Sequence, residues 1–158
     1  MRNIFLALIV LIGLSSVACS DKGKQFAAST DRIAGYVGVG LIIVDQQTST
    51  GQMSPETGVA IVTALRQVNT LNGQLVTEAK KFIDADGNLA LTGDGQQDLL
   101  NILASSNSIV NTLVNDPRVL NLSEPKRNEV IAVAANLSAT IASIGELIKT
   151  TKTIKGAK

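Results

Sequence analysis

Apolar residues recur every three or four positions along most of the chain, a spacing that places them on one face of an α-helix. Four such segments follow residue 26. The most regular is the last, which Ser123 is predicted to cap. Its apolar face steps by four and three residues, so we expect Leu137 and Ile141, near its middle, to be buried. The face comprises Val130, Ala134, Leu137, Ile141, Ile144 and Ile148.

The second and third segments begin at residues typical of helix starts. Ser54 precedes a proline, which the first turn of a helix tolerates, and this segment is predicted to continue to Ile83. Asp94 and Gln97 stand three residues apart, as in a capping box, so Asp94 is the predicted N-cap of the third segment. That segment is predicted to stop before the Asp-Pro pair that begins at Asp116, because proline disfavours helical geometry in the residue before it.

The first segment, residues 27–47, is ambiguous at its centre, IAGYVGVGLIIV. Three glycines weaken a helix, and the β-branched residues suit a strand. We predict a buried helix, with glycines where a neighbouring backbone comes close. The apolar part, residues 33–44, is too short to span a bilayer.

Four amphipathic helices with short connections predict an all-α protein, specifically an antiparallel four-helix bundle over residues 27–158. Residues 19–26 are predicted to form a short tether, because Ser20 to Gln25 are polar. No segment repeats another residue by residue, so duplication is not inferred.

The N-terminus has the three-part pattern of an export signal. Arg2 supplies a positive charge, residues 4–14 are apolar, and small residues precede Cys19, the single cysteine. Val17, Ala18 and Cys19 resemble the lipobox of bacterial lipoproteins. The resemblance covers only about the first 20 residues. It implies cleavage of the signal peptide, residues 1–18, a diacylglycerol on the Cys19 sulfur and an acyl chain on its new amine.

Cys19 is therefore the expected lipid attachment site, and this covalent lipid is the only cofactor expected. The alternative is an ordinary secretory signal with an incidental cysteine, but a lone exported thiol has no disulfide partner. If the host is Gram-negative, Ser20 after the cysteine resembles the sorting pattern of outer-membrane lipoproteins that face the periplasm.

Composition narrows the chemistry of the mature chain. The whole chain has 14 basic and 13 acidic residues, and only 3% of its residues are aromatic. Near-zero net charge argues against nucleic acid as a partner. The chain has no histidine, which excludes Ser-His and Cys-His pairs and histidine metal sites. Ser-Lys or carboxylate pairs stand in no recognisable motif, so we predict a protein that is not an enzyme.

One loop, FIDADGNLALTGDGQQ, resembles the middle of an EF-hand calcium loop. Its candidate ligands are Asp84, Asp86, Asn88 and Asp94. Phe82 stands at the first ligand position and Gly93 where the bidentate glutamate belongs, so we predict a β-turn at Asp86 followed by a helix cap. Weak calcium binding is the alternative.

Two further regions are candidate contact surfaces. Lys149, Lys152, Lys155 and Lys158 end the chain without an intervening acid. An even number of helices brings both termini to one end, which places these lysines near lipid head groups; a solvated helix end is the alternative. The loop at residues 115–126 carries Val119, Leu120 and Leu122, either as a partner site or packed back onto the bundle.

The function expected from these features is that of a lipid-anchored, non-enzymatic envelope protein that binds another envelope protein. Two alternatives stay open. The bundle core could carry a small apolar ligand, which requires a sizeable apolar cavity. An enzyme of unrecognised type requires a pocket with converging polar groups.

Overall fold

The computed structural model describes residues 22–151, and within this range the chain is all-helical and contains no strand longer than an isolated bridge. The prediction of an all-α protein is confirmed. The predicted signal peptide and Cys19 lie outside the described residues. The helices are α1 (Lys22–Ser49), α2 (Pro55–Ala79), α3 (Gly93–Val114), α4 (Pro117–Leu120) and α5 (Glu124–Lys149), with a 3-10 turn at Lys80–Phe82 after α2.

Each of the four long helices packs against two others: α1 and α3 both contact α2 and α5. The helices α1 and α5 run antiparallel. At one end the Lys22 ammonium donates to the Thr150 carbonyl, and at the other Gln47 Nε2 donates to Glu129 Oε2 over 2.5 Å. Gln96 Nε2 donates to the Ile148 carbonyl at 2.9 Å, which brings the start of α3 to the Lys22 end.

We call the end containing Lys22, Gln96 and Thr150 the near end, and the end containing Gln47 and Glu129 the far end. The two ends of the described range, Lys22 and Thr151, therefore lie together at the near end.

The helical periodicity of the sequence corresponds to the buried stripes of the structure. Leu137 is 0% exposed and Ile141 is 4% exposed, so the prediction for the last segment is confirmed. The ambiguous centre of the first segment is helical, and Ile33, Val37 and Val44 lie in the core. The largest fully buried side chains come from every long helix: Ile33, Ile61, Leu65, Leu75, Leu99, Val110, Leu137, Ile144 and Ile148.

The three glycines at the centre of α1 differ in whether a neighbouring side chain requires a glycine there. A Cβ at Gly40 would lie 2.8 Å from Leu65 Cδ1 and 3.1 Å from Val133 Cγ1, so this glycine allows side chains of α2 and α5 to approach. At Gly35 and Gly38 a Cβ would meet nothing within 4 Å. The prediction of close approach is wrong for those two, and at Gly40 the neighbours are side chains rather than backbone.

Two helix boundaries differ from the sequence prediction. Helix α1 begins at Lys22, not at residue 27, and Phe26 is buried, so the predicted tether is wrong for residues 22–26. Helix α2 ends at Ala79, and the chain then tightens into the 3-10 turn rather than continuing as α-helix to Ile83.

The helix caps differ from the sequence prediction more than the helices themselves do. Ser54 caps α2 as predicted, since its hydroxyl accepts from the Thr57 amide at 3.2 Å. The prediction of Asp94 as N-cap is wrong: Thr92 caps α3 by accepting from the Gly95 amide at 3.1 Å, and Asp94 lies in the first turn. Ser123 stands at the N-cap of α5 but makes no side-chain capping hydrogen bond.

Two of the helices, α1 and α5, are long and apolar enough to cross a membrane by length and composition, with mean hydropathies of 1.3 and 1.6. The core helix of a water-soluble domain passes the same test. In both helices the apolar residues that pack inward follow one stripe, and Asp31 and Arg32 are exposed on α1.

One buried polar contact sets the register of α1 against α2. Asn72 is 8% exposed, and its Nδ2 donates to the Thr30 carbonyl at 3.0 Å. We expect Asn72→Asp to destabilise the fold by about 2–4 kcal/mol at pH 7, because it loses the donor and buries a carboxylate. Burial raises the carboxyl pKa in the folded state. The loss is therefore full above that raised pKa and shrinks as the pH falls toward the unfolded-state pKa of about 4, below which the cost of burying the charge is absent.

Chemical denaturation of Asn72→Asp at pH 7 and pH 3.5 measures this effect. Asn101→Asp is the matched control, since Asn101 is exposed on α3 and its Oδ1 accepts from Gln97 Nε2, a role that a carboxylate retains. Equal stabilities of the two variants at pH 7 would show that the Asn72 contact contributes nothing.

Candidate functional site

A groove of about 770 Å³ opens on the surface between α2 and α3, in the half of the protein next to the far end. Both helices contribute apolar side chains to it, and Val59 is 67% exposed. The apolar lining consists of Pro55, Val59, Ala60, Ala64, Ile109 and Leu113.

Short side chains on the facing surfaces of the two helices create this groove. On α2, Ala60 and Ala64 are spaced by four and therefore share a face, and on α3, Ser108 and Thr112 do the same. The core residues between these helices bring the backbones together, and the small outer residues leave the space above them unfilled. This surface combines an apolar lining with hydroxyl groups along its edge.

An ion pair stands at the far-end mouth of the groove. Asp116 caps the short helix α4 by accepting from the Arg118 amide at 2.8 Å. The same carboxylate binds the Arg118 guanidinium through both oxygens, from Nε at 2.9 Å and from Nη2 at 2.7 Å. Glu56 also lines the groove here, so two acids and one base give this mouth a charge of −1.

These contacts shift the pKa values of both partners. Hydrogen bonds from Arg118 lower the pKa of Asp116 below its ordinary value, and Asp116 raises the pKa of Arg118. A carboxyl group with a lowered pKa contributes its stabilisation above the unfolded-state pKa and loses it as the pH falls through the folded-state value. The pair is therefore intact at neutral pH.

The three apolar loop residues singled out in the sequence have different positions. Val119 is 1% exposed and belongs to the core. For this residue the alternative that the loop packs back onto the helices is confirmed. Leu120 is 47% exposed, and Leu122 is half-buried in a second groove of about 440 Å³ that shares Glu56 and Arg118 with the first. A contact with a partner at Leu120 and Leu122 stays a prediction.

Of the four lysines predicted to approach the membrane, only Lys149 lies within the described residues. It is exposed at the near end and pairs with Glu146 at 2.9 Å. Lys152, Lys155 and Lys158 lie outside the described range. The membrane-surface contact therefore stays a prediction.

The loop between α2 and α3 is built around Asp84. Its Oδ1 accepts from the amides of Asp86 at 3.0 Å and Asn88 at 2.8 Å, and the Gly87 amide donates to the Asp84 carbonyl at 3.0 Å. Gly87 has φ of 82°, which favours glycine. The predicted turn is confirmed. Within residues 22–151, Asp84, Asp86, Asn88 and Asp94 are not part of any cluster of acidic or cysteine ligands able to hold a metal ion.

We expect calcium to leave the stability of this loop unchanged, because backbone amides already occupy Asp84 Oδ1. Thermal unfolding of the full chain, with excess EDTA and then with calcium, measures this. An ion present at about one hundred times its dissociation constant would add roughly 2.7 kcal/mol. A rise in midpoint that disappears in Asp84→Ala and Asp86→Ala would contradict the expectation.

The groove was not predicted from the sequence. Its one signal there is the pairing of small residues four apart on outer helix faces, Ala60 with Ala64 and Ser108 with Thr112. Such spacing is common on exposed helix surfaces, and it becomes a groove only when two of these faces lie side by side. Comparisons of the chain with protein-family models, with curated proteins and with solved structures gave no match.

Proposed function

We propose that this chain is a lipid-anchored cell-envelope protein whose four long helices form an antiparallel four-helix bundle. Cys19 carries the lipid, and the bundle is a non-enzymatic module that binds another envelope component through the groove between α2 and α3. The groove carries the proposal, because it presents an apolar lining, including the 67% exposed Val59, to the solvent.

The position of the groove suits a protein anchored by its near end. Cys19 precedes Lys22 by three residues, a reach of about 10 Å, so the near end faces the membrane in this proposal. At a rise of 1.5 Å per residue, the groove on α2 begins roughly 18 Å above the near end and extends to roughly 36 Å. A partner then meets the groove well clear of the lipid head groups.

The alternative of a ligand carrier receives less support from the core. The cavity enclosed by Gly40, Val44, Leu65 and Val133 and their neighbours has a volume of about 10 Å³. This is about the space of one water molecule, whereas small-molecule pockets occupy roughly 300–1,000 Å³. The groove and the second groove of about 440 Å³ are of that size, and both are open to the surface, which favours a macromolecular partner over an enclosed ligand.

Site-specific photo-crosslinking of the full chain in its native membrane tests the proposal. A photoreactive amino acid at Val59 is expected to give a discrete adduct with another envelope chain. The matched control is Ala135, which is exposed on the outer face of α5. Because Leu65 and Val133 both lie against Gly40, Ala135 is level with Gln67, at the near-end limit of the groove.

Val59 and Ala135 lie on different helices, and both are exposed. An adduct from Val59 that is absent at Ala135 supports the groove as the binding surface. Identical patterns from both positions, or no adduct from Val59, would contradict it.

A further inference from the structure

An apolar ridge stands on the outer face of α1, away from the groove. Ile42 is 67% exposed and Val39 is 39% exposed, and they are three residues apart on one face. Gly35 and Gly38 continue this face without side chains. From Ile33 to Val44 the helix carries no charge. We call Val39 and Ile42 the ridge.

The ridge and the groove lie at the same height. Contacts between α1 and α2 set the levels: Gly40 faces Leu65, and Val44 faces Gly58. Val39 and Ile42 are therefore level with the stretch of α2 between Val59 and Gln67, which is the stretch that lines the groove. Two copies held by the same end on one membrane would bring ridge and groove together without a vertical offset.

We propose that the occupant of the groove is the ridge of a second copy of this chain. The inference rests on the proposed function, because it uses the groove as the docking surface and Cys19 as the anchor. A convex apolar ridge complements a concave apolar groove, whereas two grooves placed face to face would leave a void between them. Neither surface has a charge to desolvate at the level of Ile42.

This contact joins different surfaces on the two copies, so it is head-to-tail rather than symmetric. Each copy keeps a free ridge on one side and a free groove on the other, and further copies add laterally along the membrane. Anchoring holds the near end of every copy at the membrane and raises the effective concentration of the copies, so a small contact suffices.

Charges at the far-end mouth weaken this contact when both copies stand upright, and this effect provides a test of that orientation. Asp45 is exposed one turn beyond Ile42, and it is in none of the ion pairs formed among the described residues. With both copies upright, it approaches the mouth formed by Glu56, Asp116 and Arg118, whose charge is −1. Asp45→Asn therefore strengthens the contact by about twofold, the size expected from one exposed like-charge approach. Asp31→Asn, about two turns below Val39 toward the near end, leaves it unchanged.

Cysteine crosslinking on the full chain in its membrane tests the proposal. Two differently tagged copies are co-expressed, one with Ile42→Cys and the other with Val59→Cys, and treated with a short bismaleimide. Wild type controls for Cys19, the native cysteine. Ala135→Cys paired with Val59→Cys is the control for an exposed position on another helix, level with the near-end limit of the groove. We expect the Ile42–Val59 pair to crosslink at least severalfold above both same-residue pairs and the Ala135 control.

The remaining outcomes separate this inference from the proposed function. If the photoreactive residue at Val59 joins a different envelope protein and Val59→Cys does not join Ile42→Cys, the second copy is the wrong occupant and the proposed function stands. A dominant Val59–Val59 product also overturns the inference, because it indicates a symmetric interface. If neither the photoreactive residue at Val59 nor Val59→Cys joins any protein, both proposals fail. An unchanged Ile42–Val59 yield in Asp45→Asn contradicts the upright orientation.

Discussion

Cys19→Ser is expected to abolish lipidation of the chain and its retention in the membrane as a processed protein. The serine hydroxyl does not accept the lipid, so the product stays uncleaved or is released in soluble form. The reason is energetic: two or more acyl chains are needed for stable anchoring, and this substitution removes the site of their attachment. Fractionation and immunoblotting of cells that express the full chain measure the result.

Ser20→Asp is the matched variant at the neighbouring position. In a Gram-negative host the lipoprotein resemblance implies that an aspartate there retains the protein at the inner membrane, so this variant keeps the lipid but changes the destination. Normal processing and membrane retention of Cys19→Ser would show that Cys19 is not the anchor.

Leu137→Ala is expected to cost about 2–5 kcal/mol of unfolding free energy. Leu137 is 0% exposed in the middle of α5, where this helix packs against α1 and α3. The truncation removes apolar contact and leaves a cavity in a core that already fills its space closely. Denaturant titration followed by far-ultraviolet circular dichroism measures the change.

Ile42→Ala is the matched control, since it removes a similar volume from a residue of α1 that is 67% exposed. Its effect on stability should lie within about 0.5 kcal/mol. A loss below about 0.5 kcal/mol for Leu137→Ala would place Leu137 outside the core.

The helices were predictable because each carries its own periodic pattern. The buried stripe of α5 depends on the periodicity of one continuous segment, and that periodicity predicts the burial of Leu137 and Ile141. The caps were less predictable, since threonine and aspartate both accept from helix amides. Thr92 and Asp94 stand two residues apart, and only the backbone geometry of Thr92 decides between them.

Features that depend on two helices at once could not be predicted from one segment. The glycines at residues 35, 38 and 40 look alike in sequence, yet only Gly40 faces Leu65 and Val133. The groove likewise needs the small residues of α2 and α3 to lie side by side. The loop residues 119 and 120 show the same limit, because the one-turn helix α4 buries Val119 and exposes Leu120.

Anchoring through Cys19 is the claim on which the upright orientation, the height of the groove and the lateral contact depend. Intact-mass measurement of the chain extracted from membranes tests it most directly. We predict a polypeptide that begins at Cys19 and carries the added mass of a diacylglycerol and an acyl chain. A mass equal to residues 1–158, or to residues 19–158 without lipid, would contradict the account.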